Sequence, residues 1–398
     1  MTRKVAKARV YRGTEKSPRL CAFITLSLCA LTVTSCASLK FSRELTEKAG
    51  PWQMYGNEAS HSSTSGITSN SLEKIWDSDV GAGFGSFSPT IIGGIVYVGT
   101  LNGEIHALGL STGKELASKS LGGAIFSGPV VSDSIMVVAS SQSKENILAY
   151  NIYSGKIIWS KKIADVESSP AVSVNQIYVV TIKGDLYELD LQTGEEIFHK
   201  TFDGPIRTSP AIADSLCVFG CDDGNVYALN TASGKMEWKY DAGSSIWCSA
   251  SMSGTHSMGD DSSIFVGTNG GRLLALSRDG ELKFDFATGE KILSMPISDE
   301  KRVYFGCDDG NVYALDIHYG ALLWKVHTDA PIVASASQTK NQIFFGSFDK
   351  NLYVIDKSDG KVEQKIDLSG RVRTQPAIYK NYLVVGAEDS DVFGFLIK

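Results

Sequence analysis

One phrase recurs along this chain at a spacing of about forty residues, and stacked copies of such a unit leave few folds open. FGCDDGNVYALN at 219–230 is nearly duplicated by FGCDDGNVYALD at 305–316. Looser copies stand at 98–109, 180–190, 266–276, 345–356 and 385–395. A second phrase, Ser-Pro followed by apolar residues, opens at 88, 169 and 209. Its proline or aligned stand-in falls at Pro89, Pro129, Pro170, Pro210, Ala250, Pro296, Ala336 and Pro376, in steps of 40, 41, 40, 40, 46, 40 and 40. The long step coincides with the polar insertion 254–261, which reads as an extended loop.

Each copy holds four strand-like runs bounded by turn residues. In the fourth these are Ala211–Ala213, Leu216–Gly220, Val226–Asn230 and Lys235–Tyr240. The Asp222-Asp223-Gly224-Asn225 run supplies a hairpin, where glycine tolerates positive φ. Because the same run recurs at Asp308–Asn311 in the same place, it reads as a turn rather than a calcium site. Four residues after the next turn glycine stands a large aromatic: Trp159, Phe198, Trp238, Phe284 and Trp324. One aromatic per repeat at a fixed place predicts packing between neighbouring units. Ala117 and Gln364 break this pattern in repeats one and seven. The last repeat lacks its fourth strand, and Leu72–Trp76 carries that pattern at the other end of the repeats. Pairing it with Phe393–Lys398 would close a ring and remove exposed edges. The expected fold is therefore all-β, an eight-bladed β-propeller of four-stranded antiparallel blades, closed by an N-terminal strand.

The first residues differ in kind. Arg3, Lys4, Lys7, Arg9, Arg12, Lys16 and Arg19 precede the apolar run Leu20–Val33, the pattern of a secretory signal peptide. Val33-Thr34-Ser35-Cys36 fits the lipobox read by lipoprotein signal peptidase, with Cys36 as the lipidated residue. The expected organisation is a lipoprotein signal peptide (1–35), a lipidated N-terminus and linker (36–71) and the propeller (72–398). The seven cysteines do not form a disulfide framework. Cys217 and Cys221 lie four apart on one run, so their Cα atoms would sit roughly 13 Å apart at strand rise, beyond the disulfide limit of about 7 Å. A net charge of −6 without a basic run in the mature part argues against a nucleic-acid partner. Histidines form no close pair, and no nucleophile triad or metal-ligand spacing appears.

The forty-residue period, the Ser-Pro openings, the Phe/Val-Gly-x-x-Asp-Gly phrase and the Gly-x-x-x-Trp phrase resemble the PQQ-like propeller repeat over residues 72–398. The signature marks of WD40 repeats are not found at repeating positions. Pro51-Trp52-Gln53-Met54-Tyr55-Gly56-Asn57 looks like the lead-in that precedes such propellers. Anchor, length and blade count also resemble the BamB family of the outer-membrane β-barrel assembly machinery. Val80-Gly81-Ala82-Gly83-Phe84-Gly85 matches that family's Val-Gly-x-Gly-x-Gly stretch. Ile206-Arg207 stands where the family carries a Leu-Arg dipeptide that contacts the barrel-assembling subunit. The segment here is shorter and lacks the glycine and acid that follow, and Val372-Arg373-Thr374-Gln375-Pro376 has the same shape.

That resemblance implies an outer-membrane, lipid-anchored, monomeric scaffold facing the periplasm, with no enzymatic activity and no cofactor. Its expected partners are envelope proteins, among them the barrel-assembling subunit, and the membrane through Cys36. Ala37, not Asp, favours the outer membrane under the best-known sorting rule. A scaffold for another envelope partner is the second reading. A quinoprotein dehydrogenase is the third, and it lacks the adjacent cysteine pair those enzymes carry. Three residues before each proline-equivalent stand Ser86, Phe126, Glu167, Arg207, Trp247, Leu293, Val333 and Arg373. In a propeller this ring crowds one face. Arginine and aromatic residues are enriched in binding hot spots, so Arg207, Phe126, Trp247 and Arg373 are candidate partner-binding residues, and the resemblance to the family's Leu-Arg dipeptide adds Ile206.

Overall fold

The computed structural model describes residues 53–61, 65–253 and 262–398. The signal peptide, Cys36 and the insertion 254–261 lie outside the described residues. Strands fall into eight separate four-stranded antiparallel sheets, and the described residues form no helix. In blade four the strands are Ala211–Ala213, Leu216–Gly220, Asn225–Asn230 and Met236–Asp241. The second strand is buried along its whole length, and the third along its middle four residues. That explains their nearly continuous apolar runs, since both faces are covered by neighbouring blades. The outer strand alternates exposed and half-buried residues.

Asp223 ties the hairpin between the second and third strands. Its carboxylate accepts from the Asn225 amide at 2.9 Å and from the Tyr227 hydroxyl at 2.5 Å. Asp309 repeats both contacts with Asn311 and Tyr313, and Asp349 with Asn351 and Tyr353. Burial pushes these carboxyls up, but the donated hydrogen bonds outweigh it and hold all three below the usual range. The repeated acidic runs are thus turn devices.

The outer-strand aromatics join the blades. An ideal Cβ on Gly194 (φ +72°) would lie 2.5 Å from the Trp159 ring of the preceding blade. Gly234, Gly280, Gly320 and Gly360 face Phe198, Trp238, Phe284 and Trp324 in the same way, all at positive φ. The glycine serves two purposes here: it adopts the left-handed turn conformation, and it leaves room for the ring. Each indole also donates to the backbone of that next turn: Trp76 to Leu110, Trp159 to Leu191, Trp238 to Arg278 and Trp324 to Lys357, at 2.8–3.1 Å.

The ring closes between Leu72–Asp79 and Asp391–Ile397, with Leu72 opposite Ile397 and Asp79 opposite Asp391. The closing strand is three residues longer than Leu72–Trp76, because Asp77, Ser78 and Asp79 continue the ladder. Trp76 then packs on Gly113 of blade one, as the other aromatics do. Gln364 also finds its reason here. Blade eight takes its fourth strand from the N-terminal side and so has no turn glycine between its third and fourth strands. Gln364 instead accepts from the Leu72 amide at 2.7 Å and donates to the Leu72 carbonyl at 3.1 Å, clamping the first residue of the closing strand.

Within 36–71, expected as the lipidated N-terminus and linker, residues 53–61 form a strap along the inner strands. Gln53 and Ala59 carbonyls accept from Val131 and Ile212, and Ser60 accepts from Met252. Met54, Tyr55, Ser60 and His61 are buried. The four described cysteines, Cys217, Cys221, Cys248 and Cys307, are free and buried. Burial pushes the Cys221, Cys248 and Cys307 thiols up to about 12, which leaves them unreactive.

Replacing Gln364 with Ala is expected to lower the thermal midpoint, through a loss of about 1–3 kcal/mol as the two Leu72 groups lose their partner. Gln364→Trp should not rescue it, since no glycine seat awaits the indole. Recovery of the wild-type melting temperature by the tryptophan would contradict this account of closure.

Candidate partner-binding mouth

The mouth is built by the loops that enter the innermost strands. In blade four the loop Gly204–Pro210 leads into Ala211, and its amides are tied on both sides. The Ile206 amide donates to the Thr181 carbonyl of blade three, and the Pro205 carbonyl accepts from Asp222 of its own blade. The same bonds recur at Ile246, Ile292, Ile332 and Val372. Side chains at these positions turn under the loop. Ile206 is fully buried, like Ile125, Val166, Ile246, Ile292, Ile332 and Val372. Ile206 is therefore removed from the partner-binding residues expected above: its methyl groups fill the seam between blades, and no surface remains for a partner.

The next residue along faces outward. All eight residues of the expected ring, from Ser86 through Arg373, line one cavity of about 200 Å³. Arg207 donates to Glu167 of blade three at 2.5 Å and to Asp222 of blade four at 3.1 Å. Its guanidinium also lies 5.8 Å from the ring centroid of Trp247 in blade five, and Lys291 of blade six lies 5.8 Å from the same ring. A charged chain thus runs across four blades. Across the mouth, Arg373 donates to Glu388 at 2.5 Å and stands over Phe348 at 4.7 Å. Trp247 is 44% exposed, an unusual state for an indole among the large buried aromatics of this protein. Phe126 is half-buried at the same level.

Below the ring, small hydroxyls lace the blades together. The backbone amides of Gly128, Ser169, Ser209 and Met295 donate to Ser169, Ser209, Ser249 and Ser335 respectively, at 2.8–3.1 Å. The strap closes the cavity from beneath. Tyr55 lines the cavity, and its hydroxyl meets the Ser335 hydroxyl at 2.7 Å. The Gly56 amide donates to the Gln375 side chain at 2.9 Å. His61 supports Tyr55 edge-on at 5.5 Å, and its Nδ1 lies 2.8 Å from the Ala250 carbonyl, an acceptor that fixes the proton on Nδ1. Tyr55, Ser168, Phe348 and Lys291 were not singled out in the sequence. Only the lead-in phrase around Tyr55 signalled anything, and its docking joins residues 280 apart.

With this geometry in view, known proteins give it a place. A family model described as the β-propeller of beta-alanine-activating enzyme matches residues 132–395, about two-thirds of the chain. The chain belongs to this propeller family. A second model, described as outer membrane protein assembly factor BamB, matches residues 64–164. BamB of Bordetella pertussis is 24% identical over 176 residues, covering 42% of this chain and 45% of that protein. BamB of Yersinia pestis is 26% identical over 186 residues, covering 42% and 47%. The chain thus spans somewhat less than half the length of these two curated relatives. BamB of Escherichia coli is 26% identical over 273 residues, covering 63% and 69%.

Among solved structures, BamB from Moraxella catarrhalis superposes with a TM-score of 0.69 at 16% identity, over 82% of this chain and 100% of that one. A europium-containing methanol dehydrogenase gives 0.73 at 14%, over 87% and 98%. A quinohemoprotein alcohol dehydrogenase from Comamonas testosteroni gives 0.74 at 14%, over 91% and 83%. These likenesses are ones of fold. The residues here do not fit a quinone cofactor. The cavity of about 200 Å³ is smaller than the roughly 300–1,000 Å³ of ordinary ligand pockets. Cys248, the cysteine beside the mouth, is buried and followed by Ser249, and its thiol contacts the Ser294 carbonyl at 3.1 Å. Among the described residues no cluster of three metal-ligating side chains stands at the mouth or elsewhere.

Burial holds His61 neutral by lowering its pKa from 6.5 to about 4, against a smaller raising effect of the Ala250 carbonyl. The sign follows from linkage: the unfolded chain binds the proton first, so the strap is fully stable above 6.5. It loses on the order of 3 kcal/mol as pH falls to about 4. Normalised hydrogen-exchange protection over 53–61 should therefore fall across that range. In His61→Gln it should stay flat, and a flat profile in the wild type would refute the coupling.

Proposed function

We propose that this chain is a non-enzymatic envelope lipoprotein and a BamB-like adaptor in outer-membrane β-barrel assembly. The observation that carries this reading is the mouth itself. Its ring brings Phe126, Arg207, Trp247 and Arg373 to one face, while the strap fills the channel beneath. A solvent-facing tryptophan flanked by cations, on loops tied to a rigid frame, is the make-up of a protein-binding hot spot. The BamB relatives and the BamB family model support the choice of partner. The barrel-assembling subunit of the outer-membrane machinery is the expected partner of the propeller, and the membrane is bound through lipid on Cys36. The propeller then acts from the periplasmic side as a monomer.

The single face also explains the absence of an enzymatic role in this reading. Its two arginines are held by carboxylates of the loops. Arg207 is held by two carboxylates, and Arg373 by one.

Arg207→Ala with Trp247→Ala is expected to cut recovery of the barrel-assembling subunit in pulldowns of the full-length chain by at least tenfold, as loss of about 2 kcal/mol at a hot spot implies. The variant should keep a melting temperature near the wild type, since Trp247 is exposed and half-exposed ion pairs such as those of Arg207 contribute little to stability. Undiminished recovery would overturn the assignment of the mouth. Separately, Cys36→Ala should move the protein from the membrane fraction to the soluble periplasmic fraction; continued membrane association would count against the lipid anchor.

A further inference from the structure

The cavity at the mouth has Tyr55 of the strap in its lining, and its free cationic donors belong to Arg373. Arg373 uses its Nε on Glu388, and among the described residues its two terminal nitrogens donate to nothing. Ser168 lines the cup, is only 5% exposed, and its hydroxyl has no hydrogen-bond partner. A buried hydroxyl left in that state costs about 1–3 kcal/mol unless something meets it, and among the five such serines of the described residues, Ser60, Ser69, Ser140, Ser168 and Ser251, Ser168 is the one in the cavity lining. The indole of Trp247 is a donor only, and it too bonds to nothing among the described residues. Glu167, the carboxylate in the lining, is paired with Arg207 through one of its oxygens. A guanidinium edge with free N–H groups, beside a buried hydroxyl that can donate, suits an ionised carboxylate.

We propose that the cup receives one carboxylate side chain, an aspartate or glutamate at the tip of a partner protein's loop, with Arg373 as its main anchor. This deepens the reading of the mouth as a protein-binding face and rests on it. Size and surroundings select a side chain on a protein. About 200 Å³ closed by Tyr55 is too small for a cofactor-sized ligand but sufficient for a side chain. The rim of Phe126, Trp247, Leu293 and Val333 offers apolar cover to the residues flanking that acid, which a free small anion would leave exposed to water. Arg373 is a better anchor than Arg207, because both Nε and Nη1 of Arg207 are occupied.

The test uses the full-length chain and the Trp247 indole resonance, assigned by its disappearance in Trp247→Phe. The probes are acetyl-Leu-Glu-Leu-amide, its glutamine counterpart and acetate. The glutamate peptide is expected to bind about tenfold more tightly than the glutamine peptide, the value of a hydrogen-bonded charge. Arg373→Gln should erase that preference, and Arg373→Lys should retain part of it, since the charge remains and the two-pronged geometry does not. Ser168→Ala should weaken the glutamate peptide several-fold. Equal binding of the two peptides, or a preference that survives Arg373→Gln in a variant with normal melting behaviour, would overturn the proposal. Acetate as tight as the peptide would overturn the loop-borne source in favour of a free anion. Pulldown of the barrel-assembling subunit reads the adaptor function independently, so failure of the cup and failure of the adaptor reading are distinguishable.

Discussion

The contact on which this ring depends is an aromatic ring against a glycine. From Trp76 on Gly113 to Trp324 on Gly360, the outer strand of one blade reaches to the turn of the next. Four of these rings add an indole hydrogen bond to the same turn. Each contact joins an apolar face to a backbone conformation without a Cβ, and at the four indoles a directed bond fixes the angle as well. Inner strands are too short to do this alone: those of blades five, six and seven have two residues each. The loops at the mouth hang between blades that this outer latch joins, save between blades one and two, where Ala117 stands in the aromatic place.

Where the ring must close, the latch changes chemistry. Blade seven meets a strand that comes from the other end of the chain, and an amide side chain replaces the aromatic there. Gln364 offers both an acceptor and a donor to one residue, Leu72, which an indole cannot do. The strap that leads into that strand has a second consequence. By lodging Tyr55 against Ser335 and Gly56 against Gln375, it turns a channel into a cup. The fold is shared with dehydrogenases and with assembly factors, so chemistry has to be sought in what fills the channel. Here that filling is the protein's own backbone.

Charges at the mouth are organised around the ring. Glu167, Arg207, Trp247 and Lys291 come from four successive blades, and each touches the next. Half-exposed ion pairs of this kind contribute little to stability. Their effect is to hold long side chains in place beside an exposed indole, which reduces the conformational freedom a partner would otherwise have to quench on binding.

The blade count, the closing strand, the hairpin role of Asp223 and Asp309 and the position of the aromatics were all legible in the sequence. They are local or periodic: a forty-residue repeat places equivalent residues in equivalent surroundings, so one copy interprets the rest. Residues that depart from the repeat were visible as departures but without a reason. Gln364 made sense only beside Leu72, 292 positions away in the chain. Neighbours in one loop carried a signal that only the aligned repeats reveal: the Ile206 position is Ile or Val in seven repeats, and the Arg207 position varies. In a single copy Ile206 and Arg207 read alike as loop residues, yet one is fully buried and the other is open to solvent. The difference arises because the Ile206 amide bonds to blade three and turns its side chain inward. Sequence alone determined the ring and the eight positions that gather at its mouth. Tertiary structure decided that the strap docks at the mouth, which donors are left free and which loop residues face solvent, because burial and hydrogen bonding depend on chain segments that meet only after folding.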